Sequence, residues 1–476
     1  MFRFRFILLC LLVCLLFGEA VSIGSASTSS DSVVYLPIIR SVSGSRGYLT
    51  TPQELAMAKQ KGDWGIEPYE TAVTDILALA DTPWLFNFSM TETCPDDQTP
   101  LWNYNKGGTP ILYAKALAYH MTGNELYAVQ VKTILQTMMR QVVQIDAEDK
   151  QCRLNFGWGT PELVATADLL ESYWHHHSCV GPLGTEHTDL RQGAGSCKRL
   201  FQNWLVKNPY YVVSYSAGHA NSNWGAAATT TTAYIADYLA DRPDAVLVHR
   251  NPRQINDGED YLFSPAEAYA HANRQALDRM SGYKVDYGGS NSCDLLDTEH
   301  QSPNWEPVKS QITENGIIPE DTRREEFCNV PNYNGEYQNY PQLHLGLNLQ
   351  QCELMLRRGD RSCYDNVDNR DLPNFSYIDS KDRPQTTHLK PGRGSIERAI
   401  KAVIVDANTE WQRESALFVA YRYYREYGRL TGFEQWAQYL GDNPECSQDL
   451  CFTILTHALN DNETYTLPPT VPPPGG

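Results

Sequence analysis

The chain has 476 residues, 42% of them hydrophobic, which is enough for one large core or two ordinary ones. Its formal net charge of -18 argues against a nucleic-acid partner, and any polyanionic ligand needs a locally basic groove. The 28 Tyr and 10 Trp suit a carbohydrate cleft, because such rings offer an apolar face together with a polar handle.

Residues 1–26 read as a secretory signal peptide: Arg3 and Arg5 precede the apolar run from Phe6 to Phe17, and Gly24, Ser25 and Ala26 supply small residues for cleavage. The run is short for a transmembrane helix, and no later segment reaches ~18 apolar residues, so an exported protein without a membrane anchor is expected. Cys10 and Cys14 leave with the signal. Residues 27–50 then form a Ser-rich, flexible leader, and residues 461–476 a Pro-rich tail that cannot be helical.

Between these lies a catalytic-size domain, 51–460, with mainly helical periodicity. Ile111, Ala114, Ala118 and Met121 repeat at three-four spacing, and so do Ala128, Val131, Leu135 and Met138. Thr109-Pro110 and Thr160-Pro161 each have the form of an N-cap followed by a first-turn proline. Ser264-Pro265-Ala266-Glu267 has the form of a capping box. "MTGNELYA" (Met121 to Ala128) and "LTGFEQWA" (Leu430 to Ala437) share one helix-turn-helix frame, which points to repeated antiparallel hairpins. The long stretch from Asp286 to Tyr340 then runs as a loop over one face.

Ten cysteines remain after the signal. An even number in an exported chain favours disulfides, with Cys446 and Cys451 the safest pair. None has zinc-site spacing, and the consecutive His175 to His177 point in different directions on a helix end, so neither a metal nor a cofactor is expected. Asn87, Asn374 and Asn462 fit the N-glycosylation pattern.

Several segments, "ALAYHMTGNELYAVQVKTIL", "SNWG", "NGIIPEDTRRE" and "NGEYQNYPQLHLGLNL", together resemble the alginate-lyase superfamily of polysaccharide lyases over roughly Trp84 to Leu440. Their order looks closer to the glucuronan and alginate lyase branch with a seven-hairpin toroid. The resemblance implies an all-α fold, an incomplete (α/α) toroid, acting as a monomer by β-elimination on an anionic uronic-acid polysaccharide.

Such chemistry needs donors that neutralise the uronate carboxylate and a base that removes the C5 proton. Asn223 matches the family's loop asparagine and is the candidate neutraliser. Family members often carry Asn-His or Asn-Asn-His there; this chain has Trp224 instead, which moves the histidine duty to His219 or His271. Glu267, His271 and Arg274 share one helical face, a pattern that an ordinary charged helix surface also produces. Where the family often has Arg-Asp before a Gly-Leu helix, this chain has Gln338 and Asn339, so Arg323 and Arg324 are the substitute positive charges. Tyr340 is the expected base and acid, with His344, four residues on, as its rival. His219, Asn221, Trp224, Arg274 and Arg324 complete the expected substrate contacts.

Two other readings stay open. Asp286, Asp294, Glu299 and Glu336 offer the carboxylate pair of a glycoside hydrolase on a helical toroid. A non-catalytic glycan-binding protein needs only the aromatics.

Overall fold

The computed structural model describes residues 44–84, 108–142, 145–174, 176–179, 195–220, 222–251, 259–281, 339–365, 375–378, 384–387, 395–400, 414–427, 453–457 and 470–475, all in one compact unit, 41–476. In these residues the fold is all-α, with three small two-stranded pairings as its β-structure.

The helices alternate in hairpins. Helices α1 (Pro52–Asp63) and α2 (Tyr69–Ala80) form the first, and α3 (Thr109–Thr122) and α4 (Glu125–Gln141) the second. The second hairpin turns as its sequence predicts: Gly123 adopts φ 70° after α3, and Asn124 caps α4 by accepting from the Leu126 N–H at 3.0 Å. The matching Leu430 to Ala437 frame lies outside the described residues. Helix α5 (Lys150–Leu169) leads through the short α6 (Glu171–Trp174) and the β1/β2 pair (Ser178–Cys179, Gly195–Ser196) to α7 (Cys197–Leu205). A π-helical turn, Val206–Tyr210, joins α7 to α8 (Tyr211–His219). After α8 come α9 (Asn223–Tyr238), the β3/β4 hairpin (Leu247–His249, Tyr261–Phe263) and α10 (Pro265–Ser281). Then follow α11 (Asn339–Arg357), α12 (Ser362–Asp365), the β5/β6 pair (Phe375–Ile378, Pro384–Thr387), α13 (Ile396–Ile400), α14 (Glu414–Tyr427) and α15 (Ile454–His457).

Packing closes these helices into a ring. Helix α1 touches α3, α3 touches α5, α5 touches α9, α9 touches α11, α11 touches α14, α14 touches α15, and α15 returns to α1. Successive members run parallel where side chains fix their register. Thr231 on α9 meets Gly157 on α5, while Asp237 and Asp168, further along the same two helices, are both bound by Arg46. Thr230 meets Leu347 on α11, and Asp237 meets Arg358 just after it. Parallel inner helices with antiparallel partners outside are the architecture of an (α/α) toroid, so the starts of α5, α9 and α11 fall at one end.

Helix α9 shows why its alanine-threonine sequence is needed. Every residue from Gly225 to Tyr238 is buried, so the helix has no solvent face and requires small side chains for close neighbours. A Cβ on Gly157 would lie 3.1 Å from that of Ala227, so the glycine lets α5 and α9 approach. The expectation that a helix begins at Thr160-Pro161 is corrected: both lie inside α5, whose start is capped by Asp149. Pro161 cannot donate to the Gly157 carbonyl four residues earlier, and the Thr231 hydroxyl donates to it instead at 2.7 Å. Thr109 is likewise not an N-cap. Gly108 takes that position, and the Thr109 hydroxyl donates to Glu162 at 2.5 Å. The Ser264/Glu267 capping box forms as read.

The stretch read as a flexible leader contributes structure from residue 44 onward. The Ser45 hydroxyl and the Arg46 and Gly47 N–H groups donate to buried Asp168 at 2.7, 2.7 and 2.8 Å, and Tyr48 and Leu49 are buried. The reason is electrostatic: a carboxylate at the end of α5 needs donors, and this segment supplies three. The tail also docks, with the Val471 N–H donating to the Arg357 carbonyl at 3.0 Å and Pro472 accepting from Arg46 at 2.8 Å. Disulfides join Cys179 to Cys197 and Cys352 to Cys363, and Cys152 is also in a disulfide; Cys446 and Cys451 lie outside the described residues. Among the described residues no helix is long and apolar enough to cross a membrane.

Candidate functional site

A small apolar cluster lies where the N-terminal halves of three inner helices meet. Leu154 and Trp158 come from α5, Ala226 and Ala227 from α9, and Leu343 and Leu347 from α11, with Trp224 packed against them. Polar side chains flank it. Asn223 opens α9 and is fully buried, and neither its amide nitrogen nor its amide oxygen has a hydrogen-bond partner among the described residues. Trp224 is the one partly exposed residue of that helix, and its Nε1 is also buried without a partner. Ser222 caps the helix, its hydroxyl accepting from the Trp224 N–H at 3.4 Å, so the cap does not use the Asn223 amide.

On α11, Tyr340 is partly exposed in the first turn and His344, one turn on, is fully buried. The four-residue spacing puts them on one stripe, which Asn348 continues for another turn; it too is buried, with its amide nitrogen unpartnered among the described residues. From α5, buried Asn155 accepts from the Gln151 amide at 3.1 Å. Helices α9 and α11 share direction and register through Thr230 and Leu347, so Asn223 and Tyr340 sit at the same end of the ring.

The structure surrounds other expected residues differently. His271 is hydrogen-bonded to Gln275 at 2.9 Å and lies against His249 and Phe263, at ring-centroid distances of 5.0 and 5.1 Å. It thus belongs to an aromatic cluster beside the β3/β4 hairpin, in which the Tyr210 hydroxyl meets His249 Nδ1 at 3.1 Å. Burial, helped by the neighbouring His271, pushes the His249 imidazole down to about 3. Glu267 is occupied by its capping box, and Arg274 is exposed on α10. His219 ends α8. Asn221, Arg323 and Arg324 lie outside the described residues, as do the four carboxylates of the hydrolase reading.

The sequence reading missed a basic pair beside this end of α5. Arg153 and Arg250 both lie over the Tyr215 ring, at 4.3 and 4.8 Å from its centroid. Both also bond the Ala147 carbonyl, at 2.8 and 2.9 Å, and both pair with Glu148. Asn155, Trp158 and Asn348 were missed as well. A legible signal existed for each: "NFGWG" spaces Asn155 and Trp158 three apart, and "HLGLN" extends the Tyr340/His344 stripe by one turn.

Chemically the site offers an apolar platform, the Asn223 and Asn348 amides with groups unpartnered among the described residues, and a phenol and an imidazole at helical spacing. Among the described residues no group of three or more His, Cys, Asp or Glu is placed to hold a metal ion. No family profile and no curated protein matches the chain. Among solved structures it is similar to an alginate lyase from Bacteroides ovatus, at 14% identity and a TM-score of 0.47, covering 87% of this chain and 100% of that one. A likeness at that level says nothing of chemistry.

Proposed function

We propose that the chain is an exported polysaccharide lyase that cleaves a uronic-acid-containing polymer, of the alginate or glucuronan type, by β-elimination. The observation that carries this reading is Asn223, a buried amide at the start of α9 with both polar atoms unpartnered among the described residues. Leaving a buried polar group unsatisfied costs about 1–3 kcal/mol, so a ligand able to satisfy it gains that much. Its position at a helix N-terminus favours an anion, since the helix dipole places partial positive charge there.

In the proposed reaction the Asn223 amide donates to the uronate carboxylate and stabilises the enolate-like charge that builds as C5 loses its proton. Tyr340 removes that proton and protonates the departing glycosidic oxygen. The C5–H and C4–O4 bonds break, and a C4=C5 double bond forms in the new non-reducing end. His344, on the same stripe, is the rival base. The disulfides support export, because such bonds persist in oxidising compartments.

The test is an absorbance screen of the mature protein on alginate, polymannuronate, polyguluronate, glucuronan and hyaluronan, since elimination creates an ultraviolet-absorbing unsaturated end. Tyr340→Phe keeps the ring and removes the hydroxyl, and is expected to lower turnover at least ~100-fold. New reducing ends without that absorbance would move the reading to hydrolysis. Polymer binding with neither signal would move it to a glycan-binding protein.

A further inference from the structure

Trp224 has two properties that do not follow from packing alone. In a helix whose other residues are buried, it is the one that keeps part of its surface open, next to Asn223 at the helix mouth. Its ring packs against the cluster that includes Leu154, Trp158, Leu343 and Leu347, which holds the side chain in place while leaving part of it open. Its Nε1 is nevertheless buried without a partner among the described residues, as are both amide atoms of Asn223. Two consecutive residues therefore hold three unused polar atoms beside one apolar ring.

A purely apolar ligand would leave those atoms unsatisfied, and a small anion would leave the indole face idle. A pyranose uronate answers both. Its carboxylate reaches the Asn223 amide, a ring hydroxyl accepts from Nε1, and the C–H face of the ring lies on the indole. The quality of that last contact depends on sugar configuration. A gluco-configured ring with equatorial oxygens presents an unbroken patch of axial hydrogens, whereas guluronate in its polymer directs axial oxygens toward such a surface.

On this basis, and resting on the lyase reading for the reaction itself, we propose that Trp224 is a specificity-determining residue that selects uronate rings with equatorial oxygens. Asn223 and Tyr340 act on the reacting atoms; Trp224 acts on which ring reaches them.

The experiment compares the full mature protein with Trp224→Phe and Trp224→Ala on glucuronan and polyguluronate. Turnover is followed by ultraviolet absorbance, and binding of oligosaccharides by calorimetry. Trp224→Phe keeps an aromatic face and loses the N–H, so KM on glucuronan should rise about 2–10-fold with kcat little changed, the loss expected for one neutral hydrogen bond. Trp224→Ala loses the platform as well, so KM should rise by about 30-fold or more and the preference for glucuronan should collapse. Unchanged KM in both variants, or a wild-type preference for polyguluronate, would overturn the proposal while leaving the lyase reading intact. If no polymer yields an unsaturated product, the lyase reading falls and calorimetry decides alone: tighter binding of the glucuronan oligosaccharide that is lost in Trp224→Ala upholds the role of Trp224, and equal binding of both sugars removes it.

Discussion

Helix α9 carries neutral buried polar groups at one end and a paired buried charge at the other. At the start, Asn223 and the Trp224 indole nitrogen have no partner among the described residues. At the finish, Asp237 is held by two guanidinium forks: Arg46 donates at 3.0 and 2.8 Å and Arg358 at 2.8 and 2.7 Å. The same neighbours, α5 and α11, flank both ends, so the contrast is not a matter of looser packing. One end of the ring carries buried charges that pair and fasten the chain together, although the Tyr48 and Tyr234 hydroxyls there lack a partner among the described residues; the other end carries no buried charge pair on α9 and keeps amide and indole groups that a ligand could use.

The charged end is an extended network. Arg358 also donates to the Arg46 and Gly47 carbonyls, both at 3.0 Å, which ties the segment before α1 to the end of α11. Arg357 pairs with Glu54 at 3.0 Å and Glu353 at 2.7 Å, which joins α1 and α11 through charge, and His457 meets Glu353 at 3.2 Å, which ties α15 to them through a hydrogen bond. Removing one member of a buried pair leaves the others uncompensated, at a cost of about 3–5 kcal/mol. Asp237→Ala is therefore expected to give the largest loss of stability of any substitution discussed, read as a fall in the denaturation midpoint. A change of under about 1 kcal/mol would erase the contrast between the two ends.

Acid should attack the same end next. Burial opposes the charged forms, but Arg357, with Arg422, holds Glu54 down at about 2, and Arg357 and His457 do the same for Glu353; Arg358 and Arg46 hold Asp237 at about 2. Each folded value lies below the ordinary 4.5 or 3.8, so each carboxylate contributes stability that is fully present above that ordinary value and is lost as pH falls through about 2. Burial lowers His457, which adds a loss of the same sign as pH falls below 6.5, whereas burial raises Asp168, which opposes it. Unfolding monitored by circular dichroism should begin as pH drops below about 4.5 and steepen toward 2. Stability that stays flat over that window would mean these pairs do not fasten the ring.

How much of this was legible in the sequence divides along the same line. The helical hairpins could be read because periodicity and the Gly123-Asn124 turn are local, and the common stripe of Tyr340 and His344 because four-residue spacing predicts it, whereas Asn223 was singled out by the resemblance to the lyase loop. The fastening end was not legible. Arg46, Asp168, Asp237 and Arg358 are brought together from positions up to 312 residues apart, and the segment carrying Arg46 looks from composition like a solvated leader. Pro161 misled for a related reason: a proline marks a helix start unless a distant hydroxyl, here that of Thr231, takes over the carbonyl it abandons. His271 shared a face with Arg274 as spacing required, yet its neighbours, His249 and Phe263, come from a hairpin whose pairing the sequence does not announce.

The smallest stability effect should come from the open end, and it sharpens the comparison most. Asn223 contributes no hydrogen bond to the described structure, so Asn223→Ala removes a buried group whose desolvation is uncompensated. The lost packing costs something and the relieved desolvation returns about as much, so the denaturation midpoint should move little in either direction. Catalysis should respond very differently. If the amide donates to the carboxylate as charge develops, turnover on the preferred uronate polymer should fall about 10²–10³-fold, the loss usual for one donor at a developing oxyanion, with KM changing less. Stability and activity would then separate at Asn223 and fall together at Asp237. A variant that unfolds readily would show that Asn223 is structural after all, and one that is stable and fully active would take the amide out of the reaction and return the carboxylate's neutralisation to another group.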